Sequence, residues 1–402
     1  MNEPAPCADT MPTIEEDPFS TSFMRDPYPH YERMREAGPL IYLRLYECFA
    51  VARHEEVQKV LSDWETFSSA AGVGLANFNS EKPWRPPSLV LEADPPLHTR
   101  TRMVLTRVLS PGNIRKLRDQ FEREAEILID RLVALGRFDG IRDLAEPYPV
   151  KVFPDALGLA ERGRENLLPY GSMVFNSFGP RNGLTETAFA NADAVRSWIM
   201  ENCAREKLAP QGLGAQIYAA VDSGELSAEE APMLVRSFLS AGVDTTVDAL
   251  GNTLWCLATF KDQWEKLRQN HSLVRNAFEE GLRYEGPAQV FFRTTVRDTT
   301  IGGLPIGQNQ KVAAFMASAN RDPRRWSHPD TFDVERRAAG HMALGTGIHG
   351  CVGQTVARLE GEAVFGALVR KVKSIELAAE PTRHYNNVLR SFERLPVQVY
   401  PT

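Results

Sequence analysis

The sequence predicts a mainly α-helical protein with small β-sheets. Two long segments, residues 110–136 and 227–260, carry apolar side chains at the three-to-four-residue spacing of a helix face. Short segments in the C-terminal third, such as KVAAF and LPVQVY, are instead expected to be short strands between helices. Because the helical segments dominate and the strands are few and short, the predicted class is mainly α with small sheets.

Composition excludes several classes of protein. The chain of 402 residues is 43% hydrophobic and 24% charged, which is ordinary for a globular protein. Its five cysteines form no close pairs, so neither a disulfide framework nor a zinc finger is indicated. The acidic, proline-rich start MNEPAPCADTMPTIEED has no apolar run, which predicts no signal peptide and no membrane anchor. With a net charge of −6, we expect a soluble, cytoplasmic protein that binds neither nucleic acid nor membrane.

The first part of the chain divides into an arm, a small β-containing region and a long loop. We expect residues 1–23 to be a flexible arm and residues 24–402 to form a single domain. DPYPHYERMREAGPL predicts a short helix, IYLRLYECFAVA predicts two strands, and a helix is expected from His54 to Leu61. Residues 70–96 are rich in glycine, proline and asparagine, and a loop of this length is usually functional. We expect it to cover a pocket.

The two longest helices have clear boundaries. Ser110 and Pro111 start the first helix, which ends at Gly136. Ser227 and Glu230 form a capping box before the second, which is expected to run to about residue 260. At ~1.5 Å per residue, more than thirty residues span roughly 45–50 Å, so this helix should cross the whole molecule. Its charged residues exclude a membrane span.

A single cysteine, Cys351, lies in the glycine-rich stretch ALGTGIHGCVGQTVARLEGE. Glycines on both sides let the backbone turn sharply and allow a flat, bulky partner to approach. Apolar residues recur at helical spacing after Val352, so the cysteine should lie at a helix N-terminus, where unpaired N–H groups lower a thiol pKa. By itself, a lone cysteine is more often a small core residue than a metal ligand.

Gly345, Gly347, His349, Cys351 and Gly353 resemble the haem-thiolate loop of the cytochromes P450. The resemblance implies haem b (iron protoporphyrin IX) as the cofactor and Cys351 as the ligand of its iron. It also implies the P450 fold, a triangular prism with a long central helix that crosses the haem. The sequence departs from the family at one position in this loop, where leucine at 344 replaces the usual phenylalanine.

Further residues match the family positions that hold haem. His98 and Arg102 lie one helical turn apart, and with Arg293 and His349 they match the residues that bind the two propionates. Taken one at a time, such residues are more often surface charges or core histidines. Another pair, Glu280 and Arg283, is matched in the family by a buried pair that locks the region behind the haem together with an arginine like Arg336, which implies a structural role.

The sequence AGVDTT at residues 241–246 resembles the oxygen-activation motif of the family. Ala241 and Gly242 would leave room beside the haem, Thr245 would bond its own helix backbone at i−4 and open a kink, and Asp244 would feed protons inward. The implied reaction is monooxygenation with O2 and two electrons. A peroxide-driven haem enzyme and a non-catalytic gas sensor are the alternatives, and an acid beside a threonine favours reductive oxygen activation.

Candidate substrate residues combine an apolar slot with polar closure. The apolar and aromatic set is Leu91, Phe175, Phe178 and Phe291, with Ala288 leaving room for larger para groups. The polar set is Arg85, Ser88, Arg236, Ser237 and Ser240, with Tyr170 expected to help hold a carboxylate. Hydroxyls and arginines that close an apolar slot suit a small aromatic acid.

EKPWRPPSLVLEADPP, GRENLLPYG and MLVRSFLSAGVDTT resemble the bacterial P450s that demethylate 4-methoxybenzoate, and the resemblance covers most of the chain. We therefore predict O-demethylation of para-substituted benzoates. A terpene or a fatty acid is the alternative substrate. No FMN, FAD or iron–sulfur motif is visible, so electrons are expected from a [2Fe–2S] ferredoxin with a separate NAD(P)H-dependent ferredoxin reductase. Arg100, Arg107, Arg115 and Lys116 are its candidate docking residues, although a solvated basic face is an equal interpretation.

Overall fold

The computed structural model describes residues 11–402, and the buried apolar side chains of this part form one cluster that extends from Phe19 to Val399. The helices are α1 Thr21–Arg25, α2 Tyr28–Ala37, α3 His54–Ser62, α4 Leu97–Val108, α5 Pro111–Leu135, α6 Pro147–Leu157, α7 Leu167–Asn176, α8 Gly183–Ala188, α9 Ala192–Asn202, α10 Leu213–Asp222, α11 Glu230–Ala241, α12 Asp244–Thr259, α13 Lys261–Gln269, α14 Val274–Tyr284, α15 Met316–Ala319 and α16 Gln354–Lys371. The strands are β1 Thr13–Ile14, β2 Ile41–Leu43, β3 Cys48–Val51, β4 Phe67–Ser68, β5 Arg137–Asp139, β6 Val290–Thr295, β7 Thr299–Ile301, β8 Leu304–Ile306, β9 Lys311–Phe315, β10 Val372–Leu377, β11 Thr382–Tyr385, β12 Arg390–Arg394 and β13 Pro396–Pro401.

The strands form small sheets beside the helices. The largest sheet has six strands in the order β1-β2-β3-β9-β6-β4, with β9 parallel to β3 and antiparallel to β6. KVAAF is the buried strand β9, and LPVQVY contributes β13 to a three-stranded sheet in the order β10-β13-β5. None of the helices in residues 11–402 has the length and apolar content needed to cross a membrane.

Several predicted elements are confirmed with nearly the predicted boundaries. The two strands of IYLRLYECFAVA are β2 and β3, and the helices expected at 54–61 and 110–136 are α3 and α5. Pro111 occupies the first turn of α5. Backbone N–H groups there have no acceptor within the helix, so the N–H that proline lacks costs no hydrogen bond. Gly136 ends α5 with a φ of +70°, a conformation that glycine adopts without strain.

The prediction of a flexible arm over residues 1–23 does not hold for its second half. Residues 1–10 lie outside the described residues, so that part of the prediction is untested. From Thr13 onward the chain is ordered by packing: β1 pairs in parallel with β2, and Phe19 and Phe23 are buried in the core. The two buried phenylalanines and the pairing of β1 with β2 anchor this segment to the core.

The long helix expected from residue 227 to residue 260 is interrupted. Ser227 and Glu230 form the predicted capping box, since each backbone N–H donates to the other side chain, at 2.9 and 3.3 Å. α11 then ends at Ala241 and α12 starts at Asp244, with the break at residues 242–243. The hydroxyl of Thr245 donates to the carbonyl of Ala241 at 2.9 Å, so the side chain takes the acceptor that an unbroken helix would give to a backbone N–H.

Residues 69–96 contain no helix or strand and are held by contacts at their start. The N–H of Leu75 donates to the carbonyl of Phe178 at 2.7 Å, and the ammonium group of Lys311 donates to the carbonyls of Ala71 and Gly72. The loop is therefore tied to β9 and to the segment after α7, and it lies over the cavity described next.

Candidate active site

Cys351 lies on a tight loop directly before α16. Its N–H donates to the carbonyl of Leu344 at 2.7 Å, which closes the loop on itself. Gly345 and Gly347 both have a φ of +65°, the left-handed region that other residues adopt at a cost. A short 3-10 turn at Gly347–His349 completes the loop, and α16 begins three residues after the cysteine. The predicted placement at a helix N-terminus is therefore observed.

The protonation of Cys351 differs from the expectation. Burial raises the pKa of its thiol, although the backbone N–H groups of Gly353 and Gln354 and the guanidinium of Arg102 act in the opposite direction. The sequence indicates the helix terminus but not the depth of burial, and burial has the larger effect. A thiol in such a place becomes a thiolate when a cation binds the sulfur directly.

A cavity with a volume of about 240 Å³ extends from Cys351 to the loop of residues 69–96. The predicted site residues that line it are Arg85, Ser88, Leu91, Arg102, Phe175, Phe178, Arg236, Ser237, Ser240, Ala241, Gly242, Thr245, Ala288, Phe291, Arg293, Gly345, His349, Cys351 and Gly353. Three predicted residues, His98, Tyr170 and Asp244, do not line it. Among residues 11–402, no aspartate or glutamate lines this cavity, so its charged walls are all cationic.

Two arginines stand beside the cysteine loop. Arg102 donates to the carbonyl of Gly350 at 2.5 Å, and Arg293 donates to the carbonyl of Phe292 at 2.8 Å. Neither has an ion-pair partner in the described part of the chain. Burial lowers the pKa of Arg293 to about 10, against the attraction of Asp94, and the residue still stays charged at neutral pH. Two arginines that lack a protein carboxylate fit the two propionates of haem.

Two histidines add further polar groups at this end. The rings of His98 and His349 lie 4.4 Å apart between centroids, and His98 is behind His349 rather than at the cavity wall. Three of these ring nitrogens have no hydrogen-bond partner of normal geometry within residues 11–402. They are both ring nitrogens of His349 and Nε2 of His98. Burial, with Arg293 and His98 nearby, lowers the pKa of His349 to about 3, so the ring is neutral. Unpartnered buried nitrogens are costly, and a ligand carboxylate could accept a hydrogen bond from the one ring nitrogen of His349 that carries a hydrogen.

The break between α11 and α12 lies on the wall of the same cavity. Thr245, Ala241 and Gly242 line the cavity there. Gly242 also has a packing role, because a Cβ at this position would overlap the ring of Phe153 on α6, which lines the same cavity. The absent side chain therefore lets two helices pack closely.

Asp244 is half-buried beside the cavity and does not line it. A Cβ on Gly171 of α7 would overlap its carboxyl group, so this glycine provides the space that the acid occupies. Burial raises the pKa of Asp244 well above its usual range, and the carboxyls of Asp248 and Glu146 raise it further. The acid therefore carries its proton over a wider pH range than an exposed aspartate. The sequence contained no signal for Gly171.

Polar residues close the far end of the cavity. Arg85 forms a buried ion pair with Glu92 at 2.8 Å, and the hydroxyls of Ser88 and Ser237 are 3.2 Å apart. Arg236 donates to the carbonyl of Pro86 at 2.8 Å and has no ion-pair partner among residues 11–402. Sequence reasoning missed Glu92, because a separation of seven residues in an irregular loop gives no periodic signal.

Aromatic residues form the side wall between the two ends. The rings of Phe175 and Phe178 meet edge to face with centroids 5.8 Å apart, and Phe178 meets Phe291 at 5.7 Å. Tyr170 is a correction, since it is buried on α7 outside the wall. Burial raises the pKa of Tyr170, and the nearby guanidinium of Arg236 acts against that rise. The phenol therefore lies near Arg236 and behind the cavity wall.

A second buried charge cluster lies outside the cavity. The side chains of Glu280 and Arg283 are fully buried and form two bonds of 2.7 Å, and Arg336 adds a third contact of 3.1 Å to the same carboxylate. The remaining N–H groups of Arg283 donate to the carbonyls of Asn320, Pro329 and Thr331. All donors of this arginine are satisfied by the protein.

Comparison with known proteins adds independent findings. Residues 211–388 match the family model described as Cytochrome P450. The chain is 54% identical over 392 residues to Cytochrome p450 CYP199A2 of Rhodopseudomonas palustris, covering 97% of this chain and 95% of the relative. It is 30% identical over 398 residues to Cytochrome P450 107B1 of Saccharopolyspora erythraea, covering 94% and 96%. The solved structure of cytochrome P450 CYP109Q5 from Chondromyces apiculatus superposes with a TM-score of 0.81 at 29% identity, covering 97% and 99%.

Proposed function

The chain belongs to the cytochrome P450 family and is a haem-thiolate monooxygenase closely related to CYP199A2, and from this premise we propose that it O-demethylates 4-methoxybenzoate and similar para-substituted benzoates. The predicted family and the predicted fold class are confirmed. The substrate and the electron donor are the proposed part. One observation carries the choice of substrate: the end of the cavity far from the cysteine is cationic and has hydroxyl groups beside the charge.

At that end, Arg236 is the group best placed to bind a carboxylate. It lines the cavity, and within the described residues it has no acidic partner. Ser88 and Ser237 line the same wall with hydroxyl groups that can turn toward an incoming anion. A hydrogen bond between a buried guanidinium and a carboxylate is charge-assisted and therefore about twice as strong as a neutral one.

The side walls suit a flat ring. Phe175, Phe178 and Phe291 present faces and edges around one slot, and Leu91 and Ala288 complete it with apolar surface. A ring held there by its carboxylate at Arg236 would direct its para substituent toward the cysteine end. The small side chain of Ala288 leaves space beside that substituent, so we propose that bulkier para groups are accepted.

At the cysteine end we propose that Cys351 ligates the haem iron while Arg102, Arg293 and His349 hold the propionates, with His98 supporting His349. When bound, the haem supplies the activation of O2. The chain supplies a proton route: Asp244 holds a proton on a carboxyl with a raised pKa, and the hydroxyl of Thr245 lines the cavity where a proton can be passed on. Because Asp244 lies behind the wall, its proton must reach the cavity through Thr245 or water.

The overall reaction balances as one methoxybenzoate, one O2, two electrons and two protons giving one hydroxybenzoate, one formaldehyde and one water. Hydroxylation of the methyl carbon forms a hemiacetal, which breaks its bond between that carbon and the aryl oxygen. We propose that the slot prevents reaction at the ring by placing only the methyl group near the haem position. The anchoring by Arg236 therefore controls which carbon reacts.

For the electron donor we propose a [2Fe–2S] ferredoxin reduced by a separate reductase. Two of the four predicted docking residues, Arg100 and Arg107, form ion pairs with Glu230 and Glu225. Their positive charge is therefore already balanced within the protein. Arg115 and Lys116 on α5 form no ion pair in the described part of the chain, and Met103 on α4 is 60% exposed. We propose docking at this α4–α5 face.

Charge reversal at Arg115 should slow reduction by ferredoxin and weaken the salt dependence of that reduction. Unchanged kinetics would place docking elsewhere.

The test is product analysis with purified holoenzyme, ferredoxin, reductase, NADH and O2. The proposal expects formaldehyde and 4-hydroxybenzoate in equal amounts from 4-methoxybenzoate. A monoterpene and a fatty acid, incubated in parallel, serve as the substrates of the alternative. Faster turnover of either one would overturn the assignment, and faster turnover with hydrogen peroxide than with the ferredoxin system would favour the peroxide-driven enzyme.

A further inference from the structure

We propose that Glu92 determines how many negative charges the substrate carries, so that the cavity selects monoanions and rejects dianions. This inference rests on the proposed function, because it concerns the same anion-binding end. Glu92 is a positioning residue here: it acts through Arg85 and the backbone of Ser88, and it does not line the cavity itself.

The contacts of Glu92 join the two groups that would meet a substrate anion. Its Oε2 accepts from Nη1 of Arg85 at 2.8 Å and from the backbone N–H of Ser88 at 2.7 Å. Its Oε1 accepts from Nη2 of Arg85 at 3.4 Å, which completes a two-point contact. Glu92 is 6% exposed and the side chain of Arg85 is 9% exposed, so water screens this pair weakly.

The charges around the cavity then divide into two sets. Of the four arginines on its walls, Arg102 and Arg293 stand at the cysteine end, where two propionates would neutralise them. Arg85 and Arg236 stand at the far end, and Glu92 neutralises the first of them. The far end is therefore left with one net positive charge, which one carboxylate balances.

A second negative charge would find no counter-charge at this end. Within residues 11–402 no further cation lines the far wall, and the pair of Arg85 with Glu92 would have to break to release one. In a weakly screened site, an unbalanced charge is strongly disfavoured. Removal of the charge on Glu92 would free Arg85 and make two cations available.

The experiment uses holoenzyme and two ligands of the same tetrahedral shape, 4-methoxybenzenesulfonate as a monoanion and 4-methoxyphenylphosphonate at alkaline pH as a dianion. Dissociation constants come from the change in haem absorbance on binding. For the unchanged protein we expect the monoanion to bind more tightly. Glu92→Gln keeps the size of the side chain and one of its two acceptor oxygens, and it should shift the ratio of the two constants toward the dianion by about tenfold or more, the effect of a charge-assisted hydrogen bond.

Two further variants separate charge from structure. The double variant Arg85→Gln with Glu92→Gln removes both charges, leaves one net positive charge on Arg236, and should restore the preference for the monoanion. A structural role alone would make the double variant at least as impaired as the single one. Glu265→Gln makes the same chemical change at the surface ion pair with Arg268 and should leave the ratio unchanged.

The outcomes distinguish this inference from the proposed function. If the unchanged protein binds 4-methoxybenzoate and the monoanion, but Glu92→Gln leaves the ratio of the two constants unaltered, the inference about Glu92 is wrong and the proposed function stands. If the unchanged protein responds to none of the aromatic acids, both are wrong. If Glu92→Gln fails to take up haem, the double variant decides, since loss of the monoanion preference there contradicts the inference.

Discussion

Two buried sets of charges in this molecule differ in one respect, which is whether the protein satisfies them. Around Glu280, every N–H of Arg283 has a protein acceptor, and Arg336 adds a further bond to the carboxylate. Around the cavity, Arg236 and Arg293 have carbonyl contacts but no acidic partner in residues 11–402. Both sets are deeply buried, so burial alone does not distinguish them.

The difference indicates what each set is for. A complete cluster already has its counter-charges and stabilises the fold when intact. In an incomplete cluster, a charged group is buried without a counter-charge, which costs free energy. A ligand that supplies the counter-charge offsets that cost. The comparison assigns the Glu280 cluster to structure and the cavity arginines to ligand anions. Variants that remove one member of each cluster should therefore have opposite effects on the haem-free protein.

The largest effect is expected at the complete cluster. Glu280→Gln leaves the guanidinium of Arg283 buried without its carboxylate, and we expect the free energy of unfolding to fall by ~3–5 kcal/mol. Denaturant unfolding followed by circular dichroism measures this change in the haem-free and haem-bound protein. Glu265→Gln, in an exposed pair with Arg268, should lower the free energy of unfolding far less. Equal losses in the two variants would contradict the division into complete and incomplete clusters.

The opposite pattern is expected at the incomplete cluster. Arg293→Met removes a buried cation that has one carbonyl contact, so the haem-free protein should be as stable as before or more stable. Haem affinity should fall by roughly 10–100-fold, the effect of losing one charge-assisted bond of ~1.5–3 kcal/mol. Transfer of haem to an acceptor globin measures the affinity. A large loss of stability without haem would show that Arg293 belongs to the structural class.

A substitution at Gly171 tests whether this glycine provides the space for Asp244. Its effect on stability should be smaller than that of Glu280→Gln. In Gly171→Ala the new methyl group overlaps the carboxyl of Asp244, so we expect a loss of ~1–3 kcal/mol from overpacking. Combining it with Asp244→Ala should recover most of that loss, because the smaller side chain vacates the space. Additive losses in the double variant would mean that the clash lies elsewhere.

The smallest effect concerns the pH dependence of stability. Burial raises the pKa of Asp244, with Asp248 and Glu146 adding to the rise, so the folded protein binds more protons than the unfolded chain between the ordinary and the raised pKa. The free energy of unfolding should therefore fall with rising pH in that interval, by at most ~1.4 kcal/mol per pH unit for this group. Asp244→Asn should reduce this slope, which denaturant titrations at a series of pH values would measure. An unchanged slope would mean that the acid is ionised when folded.

Much of the site was predictable because it is encoded locally. The loop around Cys351 needs glycines at fixed positions, and the capping box of Ser227 with Glu230 is complete within four residues. The side chain of Thr245 interrupts its own helix, so the sequence AGVDTT already contains the cause of the break. These features depend on residues close together in the chain.

The features that sequence reasoning missed leave no periodic pattern in the chain, because they depend on irregular loop geometry or on packing between distant segments. Glu92 neutralises Arg85 from across an irregular loop, and Gly171 makes room for an acid that is over seventy positions later in the chain. The same limit explains Tyr170, which is near the cationic end but behind it, and Gly242, which faces Phe153. A sequence specifies which face of a helix is apolar more readily than which neighbour that face meets.

We propose that the arginines left without a protein carboxylate in this cavity bind the anions of its ligands. To test this, the affinity of the holoenzyme for 4-methoxybenzoate is compared with its affinity for the neutral analogue 4-methoxytoluene, both read from the haem absorbance. We expect roughly 10–100-fold tighter binding of the acid, the effect of one charge-assisted hydrogen bond, and loss of most of that preference in Arg236→Met. Equal or tighter binding of the neutral analogue by the unchanged protein would contradict it.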